Sequence, residues 1–264
     1  MNLRGCFCMA LLLSFSPLRV RAQTDHLQDK LNSVYKGKTL LLRNSYSGDT
    51  LAYGSDGQLR SPSIQGPWTL GGVEITGIVV AAPGIEIRGN RMGAVFENGK
   101  LRFVKVGKLQ IHLDSDPSEK ASEEAIRRIF LDSQEDLRPL LPDYWQSYLS
   151  GSDSKSRRAA WTSSIKKPDP ATSRPAQVST GAVSAPRAIH SPDPKYTKEA
   201  ASRHIDGTSV LMVVLNSSGS AENIAILDPL GMGLDEQAVK AVQQWRFQPA
   251  MKNGQPISVQ IIFR

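Results

Sequence analysis

The chain has 264 residues, 40% of them hydrophobic, and a formal charge of +7. That length holds one large domain or two small ones, and that composition belongs to a water-soluble globular protein rather than a bundle of membrane spans. Both cysteines, Cys6 and Cys8, fall within the first ten residues, so the body of the chain has no disulfide framework and depends on its apolar cores.

In chain order, the first feature is a leader. Arg4 precedes an apolar run from Gly5 to Phe15, and Val20 and Ala22 stand where a small-residue cleavage site needs them. This predicts a secretory signal peptide over 1–22, cleaved after Ala22, and a periplasmic protein. The alternative is an uncleaved inner-membrane anchor. The run is broken by Ser14, Ser16 and Pro17, short of the ~20 apolar residues a span needs. Cys6 stands at the start of the apolar run rather than after it, so Leu3 to Cys6 is not read as a lipid-attachment site.

Residues 23–150 read as a β-rich domain. Leu27, Leu31 and Val34 suggest an opening amphipathic helix. About seven short antiparallel strands follow, punctuated by Ser55-Asp56-Gly57, Ala82-Pro83-Gly84 and Asn98-Gly99. They predict a meander curved into an open sheet or partial barrel. Two helices close the domain: one capped by Ser118 over Glu119–Phe130, the other over about Gln134–Leu149 with Pro139 and Pro142 breaking it.

Residues 151–190 are rich in Ser, Ala, Pro and basic side chains without apolar periodicity, and predict a disordered linker. The excess positive charge lies here, in Lys155, Arg157, Arg158, Lys166, Lys167, Arg174 and Arg187. Charge in a linker, with Trp161 as its single aromatic, is not the basic folded face that nucleic-acid binding requires.

Residues 191–264 read as a small α+β domain. An apolar strand, Ser209–Leu215, turns at Asn216-Ser217-Ser218-Gly219 and returns as Ala221–Leu227. Leu234, Ala238, Val242 and Trp245 recur at helical spacing, with Asp235 and Glu236 complementing the helix dipole. Phe247–Met251, Asn253-Gly254 and Ile257–Phe263 suggest a closing hairpin. Trp245, Phe247, Val259, Ile261 and Phe263 are expected to form its core.

No constellation carries catalysis. His26, His112, His190 and His204 lack metal-ligand spacing. Ser152–Lys155 and Ser163–Lys166 have a Ser-x-x-Lys spacing but lie in the linker. Gly231-Met232-Gly233 has no lysine after it to make a phosphate loop. Asp114, Asp116 and Glu119 read as a solvated turn rather than a calcium site. Neither an enzymatic activity nor a cofactor is expected.

Pro194-Lys195-Tyr196, Ala200 and Gly207, then Leu234-Asp235, Trp245-Arg246-Phe247-Gln248-Pro249-Ala250 and Asn253-Gly254-Gln255-Pro256-Ile257 resemble the C-terminal domain of TonB energy transducers in order and spacing. The Lys36-Gly37-Lys38-Thr39, Tyr46-Ser47-Gly48-Asp49 and Pro142-Asp143-Tyr144-Trp145 segments resemble an envelope domain associated with such C-termini. The first resemblance implies a three-stranded antiparallel sheet backed by two helices. It also implies a binding mode, in which an extended segment of an outer-membrane transporter, the TonB box, adds as a strand to an open sheet edge. Carried onto this sequence, the edge is Ser258, Val259, Gln260, Ile261, Ile262 and Phe263, flanked by Asp193, Pro194, Lys195 and Tyr196. A homodimer through the same edge is the competing outcome. Family transducers keep a membrane helix driven by the ExbB–ExbD motor, whereas a cleaved leader and a short linker leave binding without that drive. The rival reading is a secreted ligand-binding β-domain that its TonB-like tail docks to an envelope complex. A large apolar cavity in the N-terminal domain would favour it.

Overall fold

The computed structural model describes residues 17–81, 84–116, 118–131, 137–151, 153–164, 176–177 and 183–264. The expected leader lies outside them up to Ser16, and helix α1 (Pro17–Tyr35) runs through Ala22 and Gln23. None of the described helices is long and apolar enough to cross a membrane.

The N-terminal part is a five-stranded sheet in the order β1 (Thr39–Leu41), β3 (Gly72–Ala81), β4 (Gly84–Glu97), β5 (Lys100–Asp114), β2 (Thr50–Tyr53). Neighbours are antiparallel except β2, which runs parallel to β5. The expected seven antiparallel strands are therefore five, because β4 and β5 each continue through what reads as a turn. Gly89 and Gly93 look like breakers but serve close approach. A Cβ at Gly89 would meet the Glu74 carbonyl oxygen at 2.6 Å, and one at Gly93 the Met232 sulfur at 2.2 Å. Asn98 and Gly99, both left-handed, make the tight β4–β5 turn as their sequence predicts.

Helix α2 (Glu119–Ile129) is capped by Ser118, whose hydroxyl accepts from the Ala121 N–H at 3.3 Å. Ser122, Ala125, Ile126 and Ile129 share one face and bury it on the sheet. Leu31, Leu51, Ile75, Ile87, Ile111 and Ile126 fill the space between the two helices and the sheet. These side chains pack against one another, whereas a large apolar cavity is what would favour the ligand-binding reading. The second expected helix is reduced to a 3-10 turn at Arg138–Leu140 and α3 (Asp143–Leu149), as its prolines dictate.

The expected linker is structured at its start. Helix α4 (Ser154–Ser164) is held by Arg157, which is 6% exposed. Its guanidinium donates to the Gly151 and Leu227 carbonyls at 3.1 and 2.9 Å and stacks 4.0 Å from the Tyr148 ring centroid. A helix anchored through a buried arginine shows no apolar period there, so the sequence pattern misses it. Short strands follow: β6 (Ala176–Gln177), β7 (Val183–Ser184) and β8 (Arg187–His190). The rest of the expected linker lies outside the described residues.

The C-terminal part holds α5 (Lys198–Ser202), β9 (Val210–Leu215), β10 (Ala221–Asp228), α6 (Leu234–Gln244), β11 (Arg246–Gln248), β12 (Ala250–Lys252), β13 (Gln255–Ile257) and β14 (Val259–Phe263). Its main sheet has the order β10-β9-β14-β6. The expected closing hairpin shrinks to β12–β13, since β14 leaves it to pair antiparallel with β9 along all five of its residues.

The two parts share a core. Phe96, Leu141 and Trp145 from the first pack with Leu211, Val213, Ile226, Val239, Val242 and Phe247 from the second. Backbone bonds join them directly: Phe96 N–H donates to the Leu230 carbonyl at 3.0 Å and Met232 N–H to the Ala94 carbonyl at 2.9 Å. Gly231, at φ +89°, makes this joint possible, because a Cβ there would lie 2.0 Å from the Ala94 oxygen.

Candidate functional site: a half-open sheet edge

Strand β9 is apolar throughout and sits between β10 and β14, so both its edges are used and five of its six residues are buried. Strand β14 lies outside it. Val259 is fully buried, while Gln260, Ile261, Ile262 and Phe263 are half-buried. Three rings pin the end of the strand. Phe263 stacks on Phe247 at 5.7 Å between centroids, and Trp245 meets Phe263 edge-on at 5.0 Å. Trp245 is half-buried, not fully in the core as expected, and its indole N–H donates to the Pro192 carbonyl at 2.9 Å. It therefore tethers the segment entering the module to the end of β14.

The outer edge of β14 is only partly open. Strand β6 pairs with it in parallel at two positions, Val259 with Ala176 and Gln260 with Gln177. Among the described residues no strand pairs with Ile261–Phe263 on that side. Beside this stretch is a groove of about 500 Å³ lined by Arg158, Ala185, Pro186, Phe247 and the residues from Gln260 to Phe263. A second cavity, about 530 Å³, opens next to α6 and contains Asp193, Pro194, Lys195 and Tyr196 together with Trp245 and Phe263. The ten residues predicted from sequence thus fall into two groups. Gln260 to Phe263 line the edge groove, with Ser258 and Val259 leading into it. Asp193 to Tyr196 lie across Phe263 on the helix side. Arg158, Ala185 and Pro186 were not foreseen, because they belong to a stretch with no periodic signal.

Asp235 and Glu236 stand in the first turn of α6, as the sequence predicts, but both are buried. Asp235 is fully buried and accepts from Ser209 Oγ at 2.8 Å and from the Leu230 and Gly231 N–H groups at 2.9 and 2.7 Å. Burial pushes its carboxyl up to about 6, against these hydrogen bonds. Glu236, 8% exposed, accepts from the Trp145 indole N–H at 3.0 Å, a bond between the two parts of the molecule. Its Oε2 has no partner among the described residues. Burial, and then the Asp235 charge, push Glu236 up to about 7.

Comparison with known proteins places the module. Residues 192–264 match the family described as Gram-negative bacterial TonB protein C-terminal. Protein TonB of Vibrio cholerae is 30% identical over 102 residues, covering 36% of this chain and 42% of that protein. Protein tonB2 of Pseudomonas aeruginosa is 37% identical over 81 residues, covering 29% of this chain and 30% of that protein. The chain therefore spans less than half the length of these relatives. The solution NMR structure of the Pseudomonas aeruginosa TonB C-terminal domain aligns at 19% identity with a TM-score of 0.26, covering 33% of this chain and 89% of that one. The family match is confined to residues 192–264.

Proposed function

We propose that this is a non-catalytic, TonB-like protein of the cell envelope, exported to the periplasm, whose C-terminal module binds an extended segment of an outer-membrane transporter. The segment adds as a strand at Ser258–Phe263, and Asp193–Tyr196 contact what extends beyond Phe263. One observation carries this reading. The outer edge of β14 is unpaired at Ile261–Phe263 among the described residues, beside an apolar groove, while two residues of extended chain already lie on it at Val259 and Gln260. Side chains on β14 hold the edge in place, and its backbone N–H and C=O groups make the recognition.

The test is a titration of TonB-box peptides against the full chain and two variants, Ile261→Pro and Ile262→Pro. Successive N–H groups of a strand point to opposite sides, so one proline strikes the ladder with β9 and the other the outer edge. The outer-edge variant should keep its circular dichroism and lose peptide binding by at least ~10-fold, the loss expected for about 1.4 kcal/mol. Unchanged affinity in a folded outer-edge variant would overturn strand addition. A concentration-dependent mass in sedimentation, abolished by the same proline, would assign the edge to a homodimer instead.

A further inference from the structure

Strand β6 is the chain's own segment lying on the edge assigned to the partner. It is light, with two paired positions, but the residues that follow are fixed nearby. Val183 and Ser184 of β7 pair with Lys252 and Met251, and the Met251 N–H donates to Ser184 Oγ at 3.0 Å. Arg187, Ala188 and His190 of β8 pair with β11. Seven positions separate Gln177 from Ser184, so anchorage at β7 and β8 keeps β6 within a few residues' reach of β14. A segment tethered this closely has an effective concentration of roughly millimolar, enough for a weak two-residue ladder to be occupied. The sequence itself suits an exchangeable strand: Pro175 precedes β6, and Gln177-Val178-Ser179-Thr180 alternates polar with β-branched residues.

We propose that Ala176–Gln177 is an internal competitor. In the resting chain it covers Val259 and Gln260, and an incoming strand must first seat on the open stretch, Ile261–Phe263, before displacing it. Occupancy of the edge by β6 stands independently of what the partner is. The competition with a transporter segment rests on the function proposed above. The groove beside Ile261–Phe263 gives an incoming segment its first contact, and Arg158 of α4 and Pro186 between β7 and β8 form the far wall. The wall and the competitor thus come from one region of the chain, so binding depends on residues outside the family-matched module.

The experiment uses the full chain and a double variant, Ala176→Pro with Gln177→Pro, which cannot donate to the ladder from either position. Amide exchange followed by NMR should show the outward-facing amides among Val259, Gln260 and Ile261 protected in the wild type and exposed in the variant. The β9 amides, protected in both, report that the variant is folded. A synthetic peptide of residues 173–182 should then shift the β14 resonances of the variant and not those of the wild type. A TonB-box peptide should bind the variant roughly three- to tenfold more tightly, the effect of one or two net backbone hydrogen bonds. Equal exchange in both chains, or failure of the 173–182 peptide to bind the variant, would overturn the internal competitor. If that peptide binds the variant while the TonB-box peptide binds neither chain, the competitor stands and the transporter reading fails. If the TonB-box peptide binds both chains equally, β6 does not compete and the regulatory part is wrong.

Discussion

The two largest sheets among the described residues treat their edges differently. In the N-terminal sheet the edge of β3 is closed twice. Strand β1 pairs with its first residues, and α1 caps the continuation with side chains. Asn32 Nδ2 donates to the Ile78 carbonyl at 2.7 Å and its Oδ1 accepts from the Ile78 N–H at 2.9 Å, while Gln28 Oε1 accepts from Val80 N–H at 3.1 Å. The outer flank of β5 is covered by β2 from Gln110 to Leu113. In the C-terminal sheet the outer edge of β14 has two paired positions and no such side-chain cover at Ile261–Phe263 among the described residues. Exposed edges invite strand addition, so the covered edge of β3 and the half-covered edge of β14 differ in their openness to an added strand.

The largest expected effect tests whether the N-terminal and C-terminal parts are one cooperative body. Trp145→Ala removes a fully buried ring from the shared core and its bond to Glu236. It should cost about 3–5 kcal/mol and lower the melting of both parts together. Separate transitions by circular dichroism and by Trp245 fluorescence, with only one displaced, would mean that the halves melt independently.

The next effect is pH dependence at the same junction. Glu236 is raised from about 4.5 to about 7 in the folded chain, so the folded state takes up a proton that the unfolded state has released. Its contribution is fully present below about 4.5 and is lost as pH rises through about 7, a change on the order of 3 kcal/mol. Asp235 shifts in the same direction, and Lys240 opposes the change by favouring the Glu236 carboxylate. Glu236→Gln keeps an oxygen for the Trp145 indole and cannot ionise. Urea unfolding at pH 5.5 and 8 should show a smaller loss in this variant than in the wild type. Equal losses would place the titration elsewhere.

Asn32→Ala tests the sealed edge. It leaves the Ile78 N–H and carbonyl without their side-chain partner and should cost about 1–3 kcal/mol, with faster exchange of the Ile78 amide. Protection unchanged at Ile78 would show that α1 packing alone closes the edge. The smallest effect is expected at Trp245, whose half-buried ring and single bond to Pro192 are worth about 1–2 kcal/mol. Trp245→Ala should leave the module folded and weaken capture of a peptide long enough to pass Phe263. Global unfolding would return Trp245 to the core.

Local patterns carried most of the element order. The Asn98-Gly99 and Asn253-Gly254 turns, the Ser118 cap, the apolar run of β9 and the helical spacing of α6 each depend on residues close in sequence, where propensity and capping act. The sequence by itself therefore determined a β-rich part followed by an α+β module with the motif pattern of a TonB C-terminal region. Tertiary structure alone decided what joins them. The approach of Gly231 to Ala94, the burial of Glu236 against Trp145, the anchoring of α4 by Arg157 and the seat of β6 on β14 link residues 70 or more positions apart. Nothing in their own neighbourhoods distinguishes them from turn, dipole or linker residues. Their roles come from the low-dielectric, close-packed contact that the folded chain creates, where a missing Cβ, an unpaired oxygen or a free strand edge acquires a cost or a use.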